Sequence, residues 1–120
     1  MSIIKQQLVD IFDSALKAVD PYNAVKKTIK VIDNKLSVND LVYDLKDFSR
    51  VIVVGAGKGT APMAKAVEEL LGGRIGEGLI IVKHGHTLPL EKIRQLQATH
   101  PLPDRTGVEG TEGIMYRLKD

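Results

Sequence analysis

Apolar residues at Ile4, Leu8, Ile11, Phe12, Ala15, Leu16 and Val19 recur by threes and fours, the spacing that predicts an amphipathic helix over 4–19 with Ser2 as its N-cap. Asp20-Pro21 breaks that pattern and starts a second helix, because Asp accepts from free helical N–H groups and Pro tolerates the first turn. Tyr22, Val25, Ile29 and Ile32 give the second helix its face. From Lys35 to Leu45, apolar residues flank Asn39-Asp40 and predict a small hairpin. Val51-Ile52-Val53-Val54 has no polar alternation, as expected of a central parallel strand covered on both faces. A helix over 61–71 follows, with Pro62 in its first turn and Gly72-Gly73 as its stop. Leu79-Ile80-Ile81-Val82 supplies a second buried strand, so residues 51–82 form a β-α-β unit with a right-handed crossover.

The remainder is more polar. A turn of helix is expected at Leu90 to Ile93, then a third strand over 94–99 nearer an edge, and a loop at His100-Pro101-Leu102-Pro103-Asp104. Thr106 and Glu109 match a capping box for a last helix whose apolar residues are Val108, Ile114, Met115 and Leu118. Gly107, Gly110 and Gly113 weaken it, and no C-cap is visible before Asp120. Met63 and Met115 read as core residues. The fold class is α/β: a Rossmann-like three-layer fold with a mainly parallel sheet, 1–50 being a helical and hairpin lead and 51–120 the β-α-β core.

Composition narrows the function. The 120 residues are 43% hydrophobic and 27% charged, with a mean hydropathy of −0.04, as in an ordinary globular domain. Seventeen Lys and Arg face fifteen Asp and Glu, a net charge of +2 spread over both halves. With two Phe, three Tyr and no basic cluster, a nucleic-acid partner is not expected. No cysteine is present, which removes disulfides, thiol nucleophiles and cysteine-bound zinc. The first residues turn polar within four positions, and neither a signal peptide nor a membrane span is expected. A cytoplasmic protein follows from these features.

The chemistry gathers at strand exits. Gly55-Ala56-Gly57-Lys58-Gly59 lies between a strand and a helix, where open α/β sheets bind ligands. Glycines admit close approach, free N–H groups and the helix dipole favour anions, and Lys58 adds a full charge. An anion site is favoured over the plain alternative, a tight turn with an exposed lysine. A Walker A loop would need Gly at Ile52 and a hydroxyl residue at Gly59, while a dinucleotide fingerprint would need Gly at Thr60. Lys83 also stands near where a nicotinamide-binding fold places an acid.

His84-Gly85-His86 leaves the second strand at the same edge. No third ligand completes a metal set. Hydrogen bonding to substrate or phosphate and satisfaction of neighbouring backbone groups carry equal weight for these histidines. His100 follows the third strand with its role open, and Asp104 is read as structural.

Three ordered runs, Val51 through Ala64, Gly78 through His86, and His100-Pro101-Leu102-Pro103-Asp104, together resemble the amino-terminal region of glycerate 2-kinases of the MOFRL type. Members of that family are also labelled hydroxypyruvate reductases. Its commonest form has Ala after the motif lysine and Tyr at the position of His84, so Gly59 and His84 depart from it. The resemblance implies transfer of the γ-phosphoryl of ATP, with Mg²⁺, to the C2 hydroxyl of D-glycerate, giving 2-phosphoglycerate. It implies Lys58 as the catalytic lysine, with Gly55, Ala56, Gly57, Gly59, His84, Gly85, His86 and His100 as substrate- or phosphate-binding candidates. Family members are several times longer, so the chain is expected to be a fragment of a two-domain protein, inactive alone. The expected partners are D-glycerate and either a second copy of the chain or the missing carboxy-terminal polypeptide. The alternatives are an NAD(P)-dependent hydroxypyruvate reductase and a non-catalytic remnant or interaction module.

Overall fold

In the computed structural model, which describes residues 2–119, the chain forms two small sheets and four α-helices. Helix α1 (Ile3–Ala18) starts where Ser2 accepts the Lys5 N–H, and α2 (Pro21–Thr28) starts where Asp20 accepts the Asn23 N–H. The second helix is shorter than its apolar spacing predicts. Ile29 and Ile32 belong instead to strand β1 (Ile29–Ile32), because β-branched residues favour extended backbone and Asp33 and Asn34 adopt the positive φ of a tight hairpin turn. Strand β1 pairs with β2 (Lys35–Val38), which pairs through the expected Asn39-Asp40 turn with β3 (Leu41–Asp44).

The larger sheet is fully parallel, in the order β4 (Val51–Ala56), β5 (Ile75–Lys83), β6 (Arg94–Ala98). Helix α3 (Thr60–Leu71) joins β4 to β5, and α4 (Arg105–Arg117) follows β6. Successive β5 side chains leave opposite faces. Ile80 and Val82 meet Ala61, Ala64 and Leu71 of α3, while Gly110 of α4 closes on Ile81. Three layers result, as the sequence implies. The central strand is β5, however. β4 lies at the sheet edge with Val54 39% exposed, so its apolar run is not covered on both faces.

Three further expectations fail. No helix forms at Leu90 to Ile93. The Glu68 carboxylate there takes the N–H groups of Glu91, Lys92 and Ile93 at 2.7, 2.8 and 3.0 Å, holding the segment as a loop. Asp104 caps α4 through the Gly107 N–H, two residues before the predicted capping box at Thr106. The face of α4 that packs is its glycine face. A Cβ on Gly110 would meet Ile81 Cδ1 at 2.7 Å and one on Gly113 would meet Leu79 Cδ2 at 3.1 Å, whereas Val108, Met115 and Leu118 are exposed, as is Met63. Helix α1 likewise leaves Ile4, Leu8, Ile11, Phe12 and Leu16 more than half exposed. Among the described residues no helix is long and apolar enough to cross a membrane.

Burial opposes the charge on Glu68, but its three backbone donors outweigh burial and, with Lys92 nearby, hold its carboxyl below the usual range. A group with a lowered folded pKa stabilises the fold above its unfolded pKa and loses that contribution as pH falls through the folded one. Glu68→Gln is therefore expected to be less stable than the parent near pH 7, with the gap closing below about pH 4.5 as the parent carboxylate protonates. Thermal melts across that range check this. A gap independent of pH would mean that the charge of Glu68 does not hold the loop.

Candidate functional site

The carboxyl ends of β4, β5 and β6 enclose a cleft of about 180 Å³ lined by Ala56, Gly57, Lys58, Ile81, Val82, Lys83, Ala98, Thr99 and His100. A larger hollow of about 650 Å³ follows Thr87 to Gln95. It is lined by one loop and strand with charges of both signs, whereas the smaller cleft draws on three strand exits and holds cations without a carboxylate.

Each wall has a local cause. Gly55 is the penultimate residue of β4, and a Cβ there would meet Thr60 Cγ2 at 2.7 Å, so only glycine lets α3 start this close to the strand. Gly57 has φ +121°, and its N–H donates to the Ile81 carbonyl at 2.9 Å, carrying the chain sideways over the end of β5. Its carbonyl then accepts the Thr60 N–H at 3.2 Å. Two helices begin at this edge. α4 is closed by Asp104, whose carboxylate accepts the N–H groups of both Gly107 and Thr99. α3 begins at Gly59, which has no side chain to cap it. Among the described residues the N–H groups of Lys58 and Gly59 make no backbone hydrogen bond. The open helix start, its dipole and Lys58 thus share one corner of the cleft, an arrangement suited to a multiply charged anion.

The structure brings Ala56, Gly57, Lys58 and His100 together in the cleft wall, with Gly55 and Gly59 bounding the same turn. It does not bring in His84, Gly85 and His86. That turn is exposed and held by its backbone: His84 N–H to the Ala98 carbonyl at 3.1 Å, Gly85 N–H to Gln97 Oε1 at 3.0 Å and His86 N–H to the Lys83 carbonyl at 3.0 Å. Asp104 has the expected structural role and pins the His100 loop, where Thr99 Oγ1 also donates to the Leu102 carbonyl. Lys83 and Thr99 were absent from the candidates read in the sequence. The signal for Lys83 was its place at a strand exit, since the reasoning that selected Lys58 and His100 applies equally to it.

Among the described residues no three His, Asp or Glu side chains gather to hold a metal ion, and the cleft lining has no carboxylate. The residues present therefore do not form a ligand set for Mg²⁺.

Known proteins resemble this chain over nearly all of its length. The model of a family described as a domain of unknown function, DUF4147, matches residues 7–120. A glycerate 2-kinase of Pyrococcus horikoshii is 35% identical over 104 residues, 87% of this chain and 23% of that protein. A putative hydroxypyruvate reductase of Agrobacterium vitis is 34% identical over 115 residues, 96% of this chain and 23% of that protein. The crystal structure of a Pyrococcus horikoshii protein superposes with a TM-score of 0.80 at 30% identity, covering 99% of this chain and 27% of the other. The chain spans about a quarter of the length of these relatives.

Proposed function

The chain belongs to the DUF4147 family, and from that premise we propose that it supplies the phosphate-binding edge of a glycerate 2-kinase. The observation that carries this reading is the open start of α3 beside Lys58 in a cleft free of carboxylates; the glycerate 2-kinase name of a relative supports it. The reaction transfers the γ-phosphoryl of ATP to D-glycerate. The C2 hydroxyl oxygen forms the new bond to phosphorus, the bond from the γ-phosphorus to the β–γ bridging oxygen breaks, ADP leaves and the hydroxyl proton passes to water. Lys58 neutralises negative charge on the transferring group, and the N–H groups of Lys58 and Gly59 donate to its oxygens, so positioning and charge stabilisation are the chain's contribution. His100 lines the same cleft, and in this reading it hydrogen-bonds the acceptor. Mg²⁺ enters no step assigned to these residues.

The second reading, reduction of hydroxypyruvate, is favoured by the names of two relatives. Thr60 at the third glycine position and Lys83 at the end of β5 argue against a nicotinamide site. Protein expressed from its own gene is expected to form ADP only when ATP and D-glycerate are both present. NADH oxidation with hydroxypyruvate, and no glycerate-dependent ADP, would overturn the proposal. Because the chain spans about a quarter of the length of its relatives, the 120-residue polypeptide by itself is expected to show little turnover in the same assay.

A further inference from the structure

Two lysines line the cleft, and they are held in different ways. Lys58 rides on a turn between Gly57 and Gly59, at the start of α3. Lys83 is the last residue of the central strand. It is paired in register with Ala98, its carbonyl accepts the His86 N–H at 3.0 Å, and the turn beyond it is fastened to Gln97. Alternation along β5 places Lys83 on the face of Ile81, the side of α4, while α3 and its open start lie over the opposite face with Ile80 and Val82. Among the described residues Lys83 forms no ion pair and no side-chain hydrogen bond, and no carboxylate lines the cleft to neutralise it. A half-buried lysine on a rigid backbone base, its ammonium left without a partner among the described residues, suits an anion that comes from outside.

A 2-hydroxy acid that accepts a phosphoryl group brings two anions into one small space, the transferring phosphoryl and its own carboxylate. They repel, so each needs its own cation, and the two cations must stand apart but within one molecule's reach. The open start of α3 with Lys58 suits the phosphoryl group, because several backbone donors converge there. The other cation is Lys83.

We propose that Lys83 binds the carboxylate of the acceptor and so selects 2-hydroxy acids over neutral alcohols, an assignment that rests on the kinase reading of the same cleft. The strand-end placement gives it this selectivity. The strand fixes the base from which Lys83 reaches the cleft, and an acceptor without a carboxylate forfeits the ionic contact.

Calorimetric titration of protein expressed from its own gene tests this with two probes, D-glycerate and ADP, on the parent, Lys83→Met and Lys83→Arg. Lys83→Met is expected to raise the Kd for D-glycerate about 10- to 100-fold while changing that for ADP by less than about twofold. Lys83→Arg, which keeps the charge in a different shape, is expected to restore part of the loss. Circular dichroism confirms that each variant is folded, and in turnover the loss is expected in KM for D-glycerate more than in kcat. Unchanged D-glycerate binding by Lys83→Met, an equal loss for both probes, or a parent that binds no D-glycerate would each overturn the assignment. D-glycerate binding that depends on Lys83 in a parent unable to form ADP would instead support the carboxylate site and overturn the kinase reading alone.

Discussion

Lys58→Ala is expected to reduce glycerate-dependent formation of ADP by about 10²- to 10³-fold, the usual loss when one preorganised charge-stabilising group is removed from a transferring anion. The fold should not notice. Lys58 is exposed and forms no ion pair among the described residues, so its side chain contributes little to packing and the thermal midpoint should stay where it is. The loss should fall mainly on kcat, because the charge that Lys58 meets is developed most fully during transfer. Lys58→Arg should recover only part of the rate, since a guanidinium cannot reproduce a compact ammonium at the start of a helix. Steady-state kinetics at saturating ATP, run beside a thermal melt, decide the matter. Turnover within about threefold of the parent would remove Lys58 from the site.

Gly110→Val should have the largest effect on stability. Gly110 is buried where α4 crosses β5, and the first carbon of any side chain there would lie 2.7 Å from Ile81 Cδ1 and 2.8 Å from Ile81 Cγ1. Helix propensity alone predicts the opposite sign, because glycine is the poorest ordinary residue inside a helix. Overpacking is expected to win, at a cost of about 1–3 kcal/mol. Urea unfolding followed by circular dichroism measures this directly. The partner change Ile81→Ala removes both crowded carbons, so the double variant should be less destabilised than the sum of the two single changes. Simple additivity, or a more stable Gly110→Val, would show that α4 does not sit on Ile81 as described. The consequence reaches the cleft, because Ile81 receives the Gly57 N–H and lines the site.

Much of this architecture was legible in the chain. The two helix starts at Ser2 and Asp20, the Asn39-Asp40 hairpin and the strand, helix and strand from 51 to 82 all follow from caps, turns and runs that act within a few residues, although the second strand begins earlier, at Ile75. The three runs around Lys58, His84 and His100 sufficed to identify the family resemblance, which the match over residues 7–120 upholds. Where the expected helix at 90–93 and the expected core places of Met63 and Met115 failed, distant groups overrode a local pattern. Leu90 to Ile93 has the spacing of a helical turn, but a carboxylate 23 to 25 residues earlier takes its N–H groups. Met63 and Met115 are apolar, yet the elements around them turn other residues inward.

The glycines of α4 show the limit most clearly. In sequence, Gly107, Gly110 and Gly113 only lower helix propensity. In the fold Gly110 and Gly113 let the helix approach Ile81 and Leu79 of β5 more closely than a Cβ would comfortably allow, while Gly107 lies beside Asp104 and Ala98 of β6. Helix α1 shows the converse, an apolar stripe that is plain in sequence and stays exposed in this chain. The site divides in the same way. By itself the sequence determined that three polar loops leave three strands at one edge, because β-strand runs and glycine turns are local features. Only the tertiary structure decided which of their residues line one cleft. The register of β4, β5 and β6 placed Lys58, Lys83 and His100 around one cleft. Backbone hydrogen bonds at the end of β5 held His84 and His86 in a separate turn, because side-chain alternation and pairing between strands, not distance along the chain, set what a residue can reach.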